Sequence, residues 1–113
     1  MSVSFEEIGQ TVATFQLESG LAVGQVCKIT ANGKAGACSE GDDFCGVVLS
    51  KSGDYGAVAV RGFVALPYSG ETAPTVGYCA LAADGKGAVA KASTGGRSLL
   101  AVSVENGTVT VLL

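Results

Sequence analysis

The chain carries four cysteines, Cys27, Cys38, Cys45 and Cys79, and no histidine. Without histidine, a Ser-His or Cys-His nucleophilic couple is impossible. Activating a cysteine then requires a cationic neighbour. Lys28 follows Cys27 directly, but adjacent strand residues point to opposite faces, so that pair fails. Spacing also argues against zinc, since there is no Cys-x-x-Cys pair and no imidazole to complete a mixed site. Cys27 and Cys79 fall at matching places in two similar segments, where small thiols serve as buried structural residues. Met1-Ser-Val-Ser-Phe-Glu-Glu lacks the basic and apolar regions of an export signal. Reduced thiols are therefore expected, in a chain made in the cytoplasm.

Other candidate chemistry is equally sparse. Glu40, Asp42 and Asp43 place three carboxylates in one short loop. No calcium-binding ligand spacing surrounds them, so the reading is a solvated turn. A paired-carboxylate glycosidase needs aromatic sugar platforms, and the chain has no tryptophan and three tyrosines, Tyr55, Tyr68 and Tyr78. Lys34 and Lys86 each follow a turn glycine, as the modified lysine of biotinyl and lipoyl carrier domains does. Their flanks, Asn-Gly-Lys-Ala and Asp-Gly-Lys-Gly, lack the pattern of such domains, and turn lysines are ordinarily solvated. No dinucleotide or phosphate-loop motif is present; the glycines mark hairpins and bulges. No cofactor is expected, and the chain reads as non-catalytic.

Composition narrows the class further. The 113 residues suit one domain, with 48% apolar residues, 15% charged, 17 glycines and two prolines. Seven scattered basic residues and a net charge of −3 leave no electrostatic footprint for nucleic acid. No apolar run reaches membrane-spanning length. So little charge on a small domain leaves apolar surface in need of a neighbour, which predicts a homo-oligomer or an assembly component.

The positioning elements are strands. Asn32-Gly33, Asp84-Gly85 and Asn106-Gly107 are two-residue hairpin signals, the first and last of type I′, and Ser52–Gly56 reads as a longer hairpin loop. Alternation around these turns places strands near 24–31, 34–39, 45–51, 56–66, 77–82, 87–92, 97–104 and 108–113, with a further one near 11–17. Val23-Gly-Gln-Val-Cys-Lys-Ile-Thr-Ala-Asn-Gly-Lys34 matches Val76-Gly-Tyr-Cys-Ala-Leu-Ala-Ala-Asp-Gly-Lys86 with one gap, and the match continues from 45–60 to 99–111. Residues 1–20 then form an arm and first strand outside the repeats. Residues 21–113 form one β domain with repeats at about 23–66 and 76–113. The fold expected is all-β: two similar double-hairpin halves closing into a small barrel, partly open barrel or sandwich. Phe63–Leu66 reads as the end of the first repeat, carried past Gly62 to join both halves in one core, so that Phe63→Asp unfolds the domain.

Residues 45–92 also carry a family resemblance. Gly46, Val58, Val60, Gly62, Leu66, Pro67, Gly77, Asp84, Gly85 and Val89 follow an order similar to that of the small capsid decoration (cement) proteins of tailed phages, including a group once described as recombinase-like. The resemblance implies a β-rich, non-catalytic virion protein on the outer capsid surface. It implies a major capsid lattice as partner and a trimer as the favoured homo-oligomer. No active-site residue comes with it. The other class open to this composition is a glycan- or surface-binding β module of a phage or bacterium, with a groove lined by Tyr55, Tyr68 or Tyr78. Phe5 and Ile8 on the arm, with Tyr55 and Tyr68, are the candidate partner-interface residues.

Overall fold

A computed structural model of the chain describes residues 10–92 and 95–113. Every regular element among them is a strand: β1 (Thr11–Leu17), β2 (Val26–Ala31), β3 (Lys34–Ala37), β4 (Gly46–Ser52), β5 (Tyr55–Arg61), β6 (Phe63–Ser69), β7 (Gly77–Ala83), β8 (Val89–Lys91), β9 (Arg97–Glu105) and β10 (Thr108–Leu112). None of the described residues forms a helix long and apolar enough to cross a membrane.

The strands close into two five-stranded barrels, ordered β1-β3-β2-β4-β5 and β10-β6-β8-β7-β9. Connectivity is the same in both. The first strand of each pairs parallel to the third and antiparallel to the fifth, as Gln16↔Lys34 and Ala13↔Val58 show in one barrel and Tyr68↔Val89 and Thr110↔Ala65 in the other. Closure removes the open edges that two separate hairpin pairs would leave. Each half therefore closes on itself.

This moves the repeat boundaries. β1 belongs to the first unit and β6, its counterpart, opens the second. The stretch 56–66 is two strands in two barrels, not one strand. Gly62 separates them at φ 98°, a left-handed conformation that costs an L-residue strain. The Leu113 amide donates to the Gly62 carbonyl (2.9 Å), so the chain end seals the junction. Phe63 points outward and is half-buried, whereas Val64 and Leu66 face the core. The core-joining role expected of Phe63–Leu66 is carried by Val64 and Leu66, in the cluster that both barrels share, and not by Phe63.

Turn details differ as well. Residues 53–54 make a two-residue hairpin, with Ser52 paired to Tyr55, in place of a longer loop. Asn106 (φ 47°) and Gly107 (φ 81°) both have the positive φ of a type I′ turn. Asn32 does not, and a bulge between Ile29 and Ala31 takes up the twist there.

Two apolar clusters hold the molecule together. The smaller fills the first barrel with Leu17, Leu21, Cys27, Ala35, Val48 and Val58. The larger fills the second barrel with Val64, Leu66, Leu81, Val89, Leu99, Val109 and Val111, then continues into Val26, Phe44, Val47 and Ala59 of the first. Those first-barrel residues lie on its outer surface. Hence the neighbouring residues Val26 and Cys27, Val47 and Val48, and Val58 and Ala59 are all buried, one facing each cluster. Strands buried on both faces read as continuous apolar runs.

Polar contacts seat one barrel on the other. The Val26 amide donates to the Gly87 carbonyl (3.0 Å), Gly41 N to Ala83 O (2.9 Å) and Ala83 N to Asp42 O (3.0 Å). Arg97 Nη1 donates to the Phe44 carbonyl (3.0 Å), and its guanidinium carbon lies 5.6 Å from the Phe44 ring centroid.

Candidate functional site

Directly paired strand residues share one face of a sheet, so the register builds surfaces residue by residue. On the second barrel Tyr78 pairs with Leu100, Leu100 with Leu112, and Leu112 with Phe63. Their chain neighbours Cys79, Leu99, Val111 and Val64 face the core. The row Tyr78–Leu100–Leu112–Phe63 therefore runs across the outside of four adjacent strands. Tyr78 is 79% exposed, Leu112 38%, and Leu100 and Phe63 are half-buried. Large apolar side chains at outward positions are what a partner surface requires.

Beyond Phe63 the row reaches a groove of ≈ 430 Å³ between the barrels, with Gln10, Val23, Val47, Leu49 and Phe63 among its lining residues. Gln10 Nε2 donates to the Phe63 carbonyl (2.9 Å), fixing the start of the described chain at this rim.

Of the interface residues expected from sequence, the two that are described, Tyr55 and Tyr68, lie on different barrels. Phe5 and Ile8 lie outside the described residues. Tyr55 stands exposed at the β4–β5 turn of the first barrel. Tyr68 packs against the core of the second. Tyr78 belongs to the outward row, and neither the groove above nor a second one beside Ser69–Thr72 and Ala90–Ala92 is lined by a tyrosine. Leu100 and Leu112, absent from the sequence-derived set, were detectable as apolar residues at outward positions of alternating strands.

The acidic loop has a structural part to play. Lys28 Nζ lies 2.6 Å from Asp42 Oδ2, and the Ser39 amide donates to the same oxygen (2.8 Å). The Lys28 hydrogen bond, then the Ser39 amide, hold the Asp42 carboxyl below the usual range. Asp84 accepts from Ser69 Oγ (2.7 Å) and from the Lys86 and Ala88 amides (2.7 and 3.1 Å). Desolvation raises its pKa, but these bonds outweigh it and leave the carboxyl lowered. Among the described residues no group of three or more Cys, Asp or Glu is arranged to hold a metal ion.

All four cysteines are free thiols, and the fold brings two of them together. Gly46 is the register partner of Cys27, while the Cys45 amide donates to the Cys27 carbonyl (2.8 Å). Two residues thus oppose one, as in a bulge, and the Cys27 thiol donates to the Gly46 carbonyl (3.8 Å). The neighbouring Cys27 thiol, Cys45's own amide and the Arg97 guanidinium pull Cys45 down to about 7 against desolvation. The same pairing and burial push Cys27 up. Burial first, then Asp42, raises Cys38 to about 11, with Lys28 opposing. Cys45 is also half-buried, whereas the other three are buried. Iodoacetamide is therefore expected to label Cys45 ahead of Cys27, Cys38 and Cys79, at a rate that climbs as pH rises through about 7. Peptide mapping at several pH values tests this; uniform labelling, or a rise confined to pH above 9, contradicts it.

No protein-family model matches this chain, and no curated protein is significantly similar to it.

Proposed function

We propose that this chain is a structural protein of a phage virion that decorates the outer capsid surface and stabilises the shell without catalysis. The observation that carries the reading is the outward apolar row Tyr78–Leu100–Leu112–Phe63 on a chain with only 15% charged residues. A face of that kind is costly in water and is stabilised by contact with another protein surface. The resemblance of residues 45–92 to capsid decoration proteins supplies the partner class, a major capsid lattice. Many copies on a repeating lattice bind through individually modest contacts that act together.

The residues of the resemblance have clear structural work in this fold. Val58, Leu66 and Val89 are core residues. Gly62 turns the chain between barrels, and Asp84 organises the β7–β8 turn. A glycan-binding role is supported less well, because sugar recognition needs aromatic rings gathered along one groove and the three tyrosines stand apart.

Co-sedimentation with cognate empty capsids, both immature and expanded, tests the proposal. The expected result is saturable pelleting with at least one form, weakened about tenfold or more by Tyr78→Asp. Failure to pellet with either form overturns it.

A further inference from the structure

The two barrels are copies of one unit, and the joint between them uses a different face of each. On the first barrel the buried face is an outward row. Val26 pairs with Val47, Val47 with Ala59, and Ala59 with Val12. Val26, Val47 and Ala59 are almost completely covered, and Val12 marks the exposed end of the row. On the second barrel the face used is the end formed by β7 and its following turn. Ala83 exchanges hydrogen bonds with Gly41 and Asp42, Gly87 accepts from Val26, and Gly85 lies against Glu40.

Strand-for-strand equivalence shows where each face recurs. The row Val26–Val47–Ala59–Val12 runs over β2, β4, β5 and β1; the matching strands β7, β9, β10 and β6 carry Tyr78–Leu100–Leu112–Phe63. The face that the first barrel buries is thus present on the second, with larger apolar side chains, and among the described residues nothing covers Tyr78. Conversely, Leu81 and Ala83 at the covered end of β7 correspond to Ile29 and Ala31 on β2. Leu81 is fully buried, whereas Ile29 is 49% exposed and Ala31, Asn32 and Gly33 are exposed with it. One chain therefore displays both unused halves of the same joint, on opposite members of the duplicated pair.

We infer that a second copy of this chain occupies this surface, docking the β2–β3 end of its first barrel, around Ile29, on the Tyr78–Leu100–Leu112 row. The contact is head-to-tail, repeating between chains the geometry that links the barrels within one. Because its two sides differ, it is a heterologous interface, and each added copy presents the same free pair of surfaces. Apolar contact between Ile29 and the row supplies the driving force, as Val26, Val47 and Ala59 do inside the chain. The row is the one the capsid reading uses, so on any one copy the two partners exclude each other; association of the purified chain alone tests this contact, and pelleting with capsids tests that one.

Analytical ultracentrifugation of the full chain, up to about 1 mM to reveal even millimolar contacts, tests this with two variants, Tyr78→Asp and Ile29→Asp. Both side chains are exposed in a single copy, so both variants are expected to keep the parent's thermal unfolding midpoint, which is checked first. The parent chain associates in a concentration-dependent way, and each variant alone is monomeric. An equimolar mixture of the two forms a one-to-one dimer and nothing larger, because one intact row meets one intact β2 end. A monomeric parent over the whole range overturns the inference. So does an Ile29→Asp variant that associates as the parent does, which indicates a symmetric Tyr78-to-Tyr78 contact. A mixture that stays monomeric overturns it as well.

Discussion

Replacing Phe44 by alanine is expected to destabilise the chain by about 3–5 kcal/mol and to leave a single, cooperative unfolding transition at a much lower denaturant midpoint. Phe44 is the largest fully buried side chain, and it does not belong to any strand. It projects from the loop between β3 and β4 of the first barrel into the cluster that fills the second. Removing the ring opens a cavity at the seam of the two barrels. It also takes the aromatic face from beneath the Arg97 guanidinium. A barrel of some fifty residues is marginal by itself, so losing the plug weakens both units. Urea unfolding followed by tyrosine fluorescence and by circular dichroism measures this. A loss below 1 kcal/mol, or two separated transitions, contradicts the shared-core reading.

Gly46→Ala is expected to be similarly damaging, by about 3 kcal/mol or more, as overpacking of a tight site. Gly46 begins β4, pairs with Cys27 and lies beside β5. A Cβ there overlaps the Ala59 carbonyl oxygen and comes within 3.0 Å of Val58 Cγ1. The oxygen belongs to backbone and cannot swing aside, so β4 and β5 must part. Ala59 lies in the seam cluster and Val58 in the first-barrel core, and both are disturbed. Gly53→Ala, where a Cβ meets nothing within 4 Å but φ is 60°, carries backbone strain alone and sets the scale against which the steric overlap at Gly46 is read. Thermal unfolding of the two variants separates the effects: a Gly46→Ala midpoint no lower than that of Gly53→Ala contradicts the close-approach argument.

The covering of one barrel by the other also explains a feature of composition. Val26-Cys27, Val47-Val48 and Val58-Ala59 are adjacent apolar pairs in strands that otherwise alternate. In an isolated barrel half of those residues face water. Here the second barrel covers them, whereas at the same positions on that barrel Tyr78 is 79% and Leu112 38% exposed. Apolar content was therefore readable as a need for a neighbour, and part of that need is met within the molecule.

Strand positions and turns were legible in the residues because they rest on local physics. Alternation marks the faces of β1, β9 and β10, and Asn106-Gly107 makes the hairpin its backbone preferences predict. The repeat was visible where its hairpins share Val-Gly, Cys and Gly-Lys. It was hidden at its first strand, because Thr11–Leu17 and Phe63–Ser69 share a period and little else. Alternation records which face a residue occupies and carries no record of its partner strand. β1 therefore gave no sign that it pairs with β5 and β3, and the span 56–66 read as one strand although Gly62 sends its halves to separate barrels.

Local chemistry alone thus determined an all-β chain of short strands and tight turns, with no catalytic couple built on histidine. Closure into two barrels, the burial of Phe44 from an acidic loop, the approach of Cys45 to Cys27 and the exposure of Tyr78 came from long-range packing. Each depends on residues far apart in the chain meeting at one seam, and no window of sequence contains both sides of that contact.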